Sequence, residues 1–165
     1  MKENKKGKGT LYLTRAALIA AAYAVIAYLS APLQFLFFQF RISEAFCVLA
    51  IFMPEAIPGM FLGCFIANYL SGCVFWDVLF GSIATLIGAI GARLLSKVPE
   101  KMKWIATLPT ILANAIIIPF VIIYAYQSPD SYWFLFFSVA LGEVVTAGIL
   151  GTMLYYQLRK KLNRK

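Results

Sequence analysis

From Tyr132 to Leu158 the chain reads YWFLFFSVALGEVVTAGILGTMLYYQL. One charged side chain, Glu143, interrupts an apolar run longer than the roughly 20 residues a helix needs to cross a bilayer. The composition of the 165-residue chain agrees: hydrophobic residues make up 62% and charged residues 13%. A soluble domain of this size is about half apolar and about a quarter charged. A small chain this apolar lacks the polar surface to cover a soluble globule. The expected fold is therefore all-α, an integral membrane bundle.

Five further segments complete a bundle of six transmembrane helices. They run from about Tyr12 to Ser30, Ile42 to Met53, Ala56 to Ser71, Trp76 to Leu95 and Trp104 to Tyr126. The Lys-rich start before an Ala-rich stretch resembles a secretory signal, but everything downstream is also membrane, so an uncleaved first span is expected. The expected organisation is a basic tail over 1–11, a transmembrane domain over 12–158 and a basic tail over 159–165. Between the first two spans, Ala31 to Phe40 is too short to cross. With Pro32, Gln34 and Gln39 among aromatics it reads as an outer loop, a half-buried cap or a surface anchor.

Charge fixes the expected orientation. Lys and Arg number 15 against 7 Asp and Glu. Six spans bring to one side the basic residues of the N-terminal tail, of the connection from Arg93 to Lys103, and of the stretch from Arg159 to Lys165. Only Arg41 is left on the other side. Positive residues stay inside, which predicts both termini in the cytoplasm. The same rule assigns the basic excess to the membrane, so no nucleic-acid partner is expected.

Small residues show where helices approach closely. Gly59, Gly63, Ala67 and Ser71 recur every fourth residue, and Ala84, Gly88 and Ala92 repeat the pattern on the fourth span. The first span carries two such rows, Ala16, Ala20 and Ala24 on one face and Ala17 and Ala21 on another. One intramolecular contact needs only one smooth face. Internal packing and contact with another protein are both open for this helix.

A charge at the centre of a spanning helix costs about 2.5–3.5 kcal/mol on insertion scales. Glu143 lies about 16 Å into the sixth span and Asn114 about 15 Å into the fifth, so the two can share a cavity. Nearer the outer side stand Arg41 and Glu44, spaced to pair on one helix face, with Asn68, Trp76, Asp77, Ser82 and Thr85. Together they describe an acidic pocket open to the outside. Phe40, Trp76, Tyr124 and Trp133 offer flat faces to it. Carboxylates, amides and rings suit a planar heterocycle that donates hydrogen bonds and carries positive charge.

Other chemistries are excluded or unsupported. Without histidine there is no histidine base or His-ligated metal. Cys47, Cys64 and Cys73 have neither metal-site spacing nor an even count. Gly7-Lys8-Gly9-Thr10 lacks the first glycine and preceding strand of a phosphate loop. No catalytic residues, cofactor or metal are expected, and energy for transport must come from another subunit or an ion gradient.

Several stretches carry a resemblance. They are Phe40-Arg41-Ile42-Ser43-Glu44-Ala45, Ala56-Ile57-Pro58-Gly59, Ile66-Ala67-Asn68, Asp77-Val78-Leu79-Phe80-Gly81-Ser82-Ile83-Ala84-Thr85, Pro109-Thr110 with Asn114, and Gly142-Glu143. In these the chain resembles the QueT family, substrate-binding S components of energy-coupling factor (ECF) transporters. The resemblance implies a multi-pass protein of a bacterial cell membrane. It captures a queuosine precursor, foremost 7-aminomethyl-7-deazaguanine, and works with a transmembrane coupling protein and two cytoplasmic ATPases. It further implies that an Ala-x-x-x-Ala row of the first helix meets the coupling protein, by Ala16, Ala20 and Ala24 or by Ala17 and Ala21. An S component for another vitamin, such as thiamine, and a structural or assembly bundle are the alternatives.

Overall fold

The computed structural model describes residues 3–34 and 39–163, and all regular structure among them is helical. Helix α1 spans Glu3–Leu29 and is followed by one short turn, α2, Ala31–Gln34. The part of the expected outer cap over 35–38 lies outside the described residues. From Gln39 the described chain enters a 3₁₀ segment, Ile42–Val48, that continues into α3, Leu49–Phe52. Then come α4, Ala56–Leu70, and α5, Phe75–Leu94. A 3₁₀ stretch, Glu100–Thr107, precedes α6, Leu108–Ala125. The last long helix is α7, Tyr132–Glu143, a π-helical stretch, Val144–Leu150, and α8, Gly151–Leu162.

Four of these helices are long and apolar enough to cross a membrane: Gly7–Leu29, Phe75–Lys97, Glu100–Ala125 and Tyr132–Leu162. The other two expected spans are shorter apolar helices, Ile42–Phe52 and Ala56–Leu70. The rise of the first of these is about 20 Å against the roughly 30 Å of a hydrocarbon core. It is a broken, mostly 3₁₀ rod rather than an ordinary transmembrane helix.

The bundle buries polar side chains beside an apolar core and leaves large hydrophobics on its surface. Its largest fully buried side chains include Glu44, Glu143, Asn114, Thr85, Thr107, Thr110 and Thr146. Leu13, Leu18, Leu29, Tyr69, Leu94 and Trp133 are exposed on the outside. Lipid is as apolar as leucine, so large hydrophobics gain nothing by facing inward. Polar groups avoid hydrocarbon by facing one another. Close backbone approach holds the bundle together. A Cβ on Gly59 would stand 2.8 Å from the Ala16 carbonyl oxygen, and one on Gly63 would stand 2.7 Å from that of Ala20. The row Ala16, Ala20 and Ala24 is therefore buried against α4. The pairs 16 with 59 and 20 with 63 also show that α1 and α4 run parallel. Ala17 and Ala21, about 100° round the helix, stay exposed.

One end of the bundle collects the basic residues. Arg15 pairs with Glu55 at 3.3 Å, and Arg93 donates to the carbonyls of Ala50 and Ile51. Lys103 donates to the Ser96 carbonyl, and Arg159 pairs with Glu100 at 2.6 Å. The Phe52 and Tyr155 rings stack at 5.1 Å and join these pairs into one layer.

Candidate functional site

Glu44 sits in the first turn of the 3₁₀ segment and is completely buried. Its Oε1 accepts from the Tyr23 hydroxyl at 2.5 Å and from Thr85 Oγ1 at 2.6 Å. Its Oε2 is buried without a hydrogen-bond partner. Arg41 does not pair with Glu44 as the spacing suggested. It precedes the helical turn with φ −103° and ψ 80°, so the i, i+3 geometry of a helix face is absent. Its Nη1 donates instead to Asn114 Oδ1 at 3.4 Å, and the Asn114 amide donates to the Thr110 carbonyl at 3.3 Å.

Glu143 ends α7, where the backbone switches to π-helix. Single π turns inside α-helices occur often at functional sites. The Thr146 hydroxyl donates to the Gly142 carbonyl at 3.0 Å within this switch. Gly142 has no room for a side chain, because a Cβ would collide with the backbone of Gln39. That contact presses the segment carrying Arg41 and Glu44 onto the helix carrying Glu143. The 3₁₀ segment that carries Glu44 also packs on the π-helical stretch that follows Glu143. Glu143 is fully buried, and neither of its carboxylate oxygens has a hydrogen-bond partner. The Thr110 hydroxyl is unpartnered as well.

Above this inner cluster lies a vestibule of about 380 Å³. It is lined by Gln39, Arg41, Asp77 and Tyr126 together with Ile118, Ile122 and residues 127–129. Arg41, which is buried, belongs to both levels. Over Gly81 three polar groups converge: a Cβ there would lie 2.9 Å from Asn68 Nδ2, 3.2 Å from Arg41 Nη2 and 3.3 Å from Asp77 Oδ1. The Asn68 amide also donates to the Asp77 carbonyl at 3.4 Å. Ser82 is buried nearby, with its hydroxyl donating to the Val78 carbonyl at 2.6 Å.

The expected pocket thus separates into two levels. Of the nine expected residues only Arg41 and Asp77 line the vestibule. Glu44, Asn68, Ser82, Thr85, Asn114 and Glu143 lie buried inside. Trp76 stands apart from both levels: it is over half exposed and stacks on Phe80 at 5.9 Å. With Phe120 and Tyr124 it lines an apolar groove of about 620 Å³ between α5 and α6. Trp133 is likewise exposed. Sequence reasoning missed Tyr23 and Tyr126, and it quoted Thr110 only as part of a motif. Tyr23 had a signal, as the hydroxyl-bearing residue within an alanine series. Tyr126 read as an ordinary aromatic at a helix end.

A multi-pass helical bundle that keeps unpartnered carboxylates inside the membrane belongs to the class that takes a polar solute into its interior. The family model for the QueT transporter matches residues 13–160, and the chain belongs to that family. No curated protein and no solved structure matches it. The chain is accordingly the substrate-binding S component of an ECF importer for a queuosine precursor. It is a transporter subunit and not an enzyme. Family membership implies the usual partners, a coupling protein and ATPases.

Proposed function

We propose that the inner cluster binds 7-aminomethyl-7-deazaguanine captured from the outer face. The observation that carries this reading is Glu143, buried with both oxygens unpartnered, in an interior where Glu44 Oε2 is also buried and unpartnered. A buried carboxylate without donors is costly. The edge of a 7-deazaguanine presents adjacent N–H donors that one carboxylate accepts together, and Glu143 is suited to them. The ligand's ammonium falls to Glu44, whose Oε1 is held by Tyr23 and Thr85 while Oε2 stays free. Asn114 and Arg41 offer further polar contacts, and Asn68, Asp77, Ser82 and Thr85 support the wall.

The reading includes six crossings, with Ile42–Phe52 and Ala56–Leu70 as the second and third. Both termini and the basic tails, 1–11 and 159–165, are cytoplasmic in a bacterial cell membrane. The parallel run of α1 and α4 supports this count, because parallel neighbours need a returning segment between them. The layer of Arg15, Arg93, Lys103 and Arg159 at one end supports the orientation. The exposed row Ala17 and Ala21 meets the coupling protein. Ala16, Ala20 and Ala24 do not, being covered by α4.

Titration of the purified protein with the aminomethyl and nitrile deazaguanines, thiamine and biotin tests the reading. The aminomethyl compound is expected to bind tightest. Binding of thiamine in preference to every deazaguanine would overturn it.

A further inference from the structure

Tyr23 stands on α1, two residues after Ala21. Its ring is buried, with 1% of its surface exposed, and its hydroxyl lies 2.5 Å from Glu44 Oε1. The ring packs edge-on against Phe46 at 6.4 Å, which leaves it little freedom to turn without moving its helix. The Tyr23 side chain also packs on α4, since a Cβ on Gly63 would stand 2.8 Å from Tyr23 Cβ. One residue therefore touches the carboxylate of the inner cluster, the 3₁₀ segment and α4. The exposed face of its own helix bears Ala17 and Ala21.

We propose that Tyr23 is the positioning residue that links occupancy of the inner site to the partner-facing side of α1. This rests on the reading of Ala17 and Ala21 as the coupling face. A cation arriving at Glu44 Oε2 draws negative charge away from Oε1 and weakens the bond that Oε1 accepts from Tyr23. Thr85 shares Oε1 but belongs to α5, so its bond carries no information to α1. The hydroxyl of Tyr23 is the side-chain hydrogen bond from α1 to Glu44, and the rigid helix carries its displacement along its length. Coupling of this kind is reciprocal: the ligand changes partner affinity by the factor by which the partner changes ligand affinity.

The test measures affinity of the reconstituted subunit for the coupling protein–ATPase complex, with and without saturating 7-aminomethyl-7-deazaguanine. In the unmodified protein the two affinities should differ by at least about fivefold, the lower end of measured couplings. In Tyr23→Phe the ratio should collapse to one while each single affinity changes by only a few-fold. A purely structural role would shift both affinities together and leave the ratio intact. Thr85→Val should weaken the ligand yet keep the ratio. Glu44→Gln keeps an oxygen for Tyr23 but removes the charge on which the ligand's cation acts, so the ratio should collapse with Tyr23 unaltered, which covers the case of a poorly folding Tyr23→Phe. A wild-type ratio of one, or a folded Tyr23→Phe or Glu44→Gln with the wild-type ratio, overturns the proposal. Ala17→Trp and Ala21→Trp separate the two readings: full complex formation in both removes the coupling face itself, whereas its loss in either alongside an intact Tyr23→Phe ratio removes only the role of Tyr23.

Discussion

The Tyr126 hydroxyl donates to Asp77 Oδ2 at 2.8 Å and so ties the end of α6 to the first turn of α5 across the vestibule. Beside this carboxylate, the Tyr126 phenol is held above its ordinary pKa, by desolvation first and by Asp77 second. It stays a hydrogen-bond donor throughout the neutral range. Tyr126→Phe removes the tie and keeps the ring. A neutral bond of this kind contributes about 0.5–1.5 kcal/mol and one to a charged group about 1.5–3. The expected outcome is ligand release faster by severalfold or more, measured by stopped-flow displacement, with little change in thermal stability. An unchanged release rate would show that the tie is not part of the vestibule's closure.

Glu143→Gln preserves shape but replaces one acceptor oxygen with a donor. A ligand N–H then faces an N–H in a desolvated site. The expected cost is about 1.5–3 kcal/mol for a bond to a charged group, which is a loss of at least about tenfold in affinity. Calorimetric titration of a folded variant decides this. Unaltered affinity would make Glu143 a structural residue.

Glu44→Gln removes charge from the other carboxylate. Affinity for the aminomethyl ligand should fall by about tenfold or more, as for a lost charged hydrogen bond. Affinity for the uncharged nitrile analogue should change far less. Equal losses for both ligands would contradict the assignment of the ammonium to Glu44.

The two alanine rows should separate in function. Tryptophan at Ala20 must force apart backbones already in contact at Gly63. Overpacking of this kind costs about 1–3 kcal/mol or more, and reduced thermal stability with impaired ligand binding is expected. Ala17→Trp or Ala21→Trp projects from the exposed face. Ligand binding should persist while uptake is abolished, because close helix approach by the partner is blocked. Full uptake in both exposed-row variants would place the partner surface elsewhere.

Orientation is measurable by cysteine labelling in a Cys73→Ser background, since Cys47 and Cys64 are buried. An impermeant maleimide added outside should label Ser128→Cys and miss Lys101→Cys. The reverse pattern would invert the topology.

The sequence by itself determined the solvent of this protein, most of its helices and the chemistry it keeps inside. Hydropathy and charge are summed along the chain, so the long apolar runs, the sorted lysines and the rarity of Glu143 and Asn114 within them are legible without a fold. The quoted motifs likewise carried the family, because they are local strings. Only the tertiary structure decided which faces those residues use. Ala16 and Ala17 are chemically alike, and the rotation of α1 against the glycines of α4 buries one and leaves the other exposed. Arg41 and Glu44 pair on an ideal helix, but a non-helical backbone at Arg41 sends its guanidinium to Asn114. Trp76 and Asp77 are neighbours in sequence, and about 100° of helical turn sends one to lipid and the other to the vestibule. The 3₁₀ and π segments escaped the sequence because both carry the same apolar residues as an α-helix. The π stretch opens just after Gly142, which packs on the Gln39 backbone, and the 3₁₀ segment follows the non-helical Arg41.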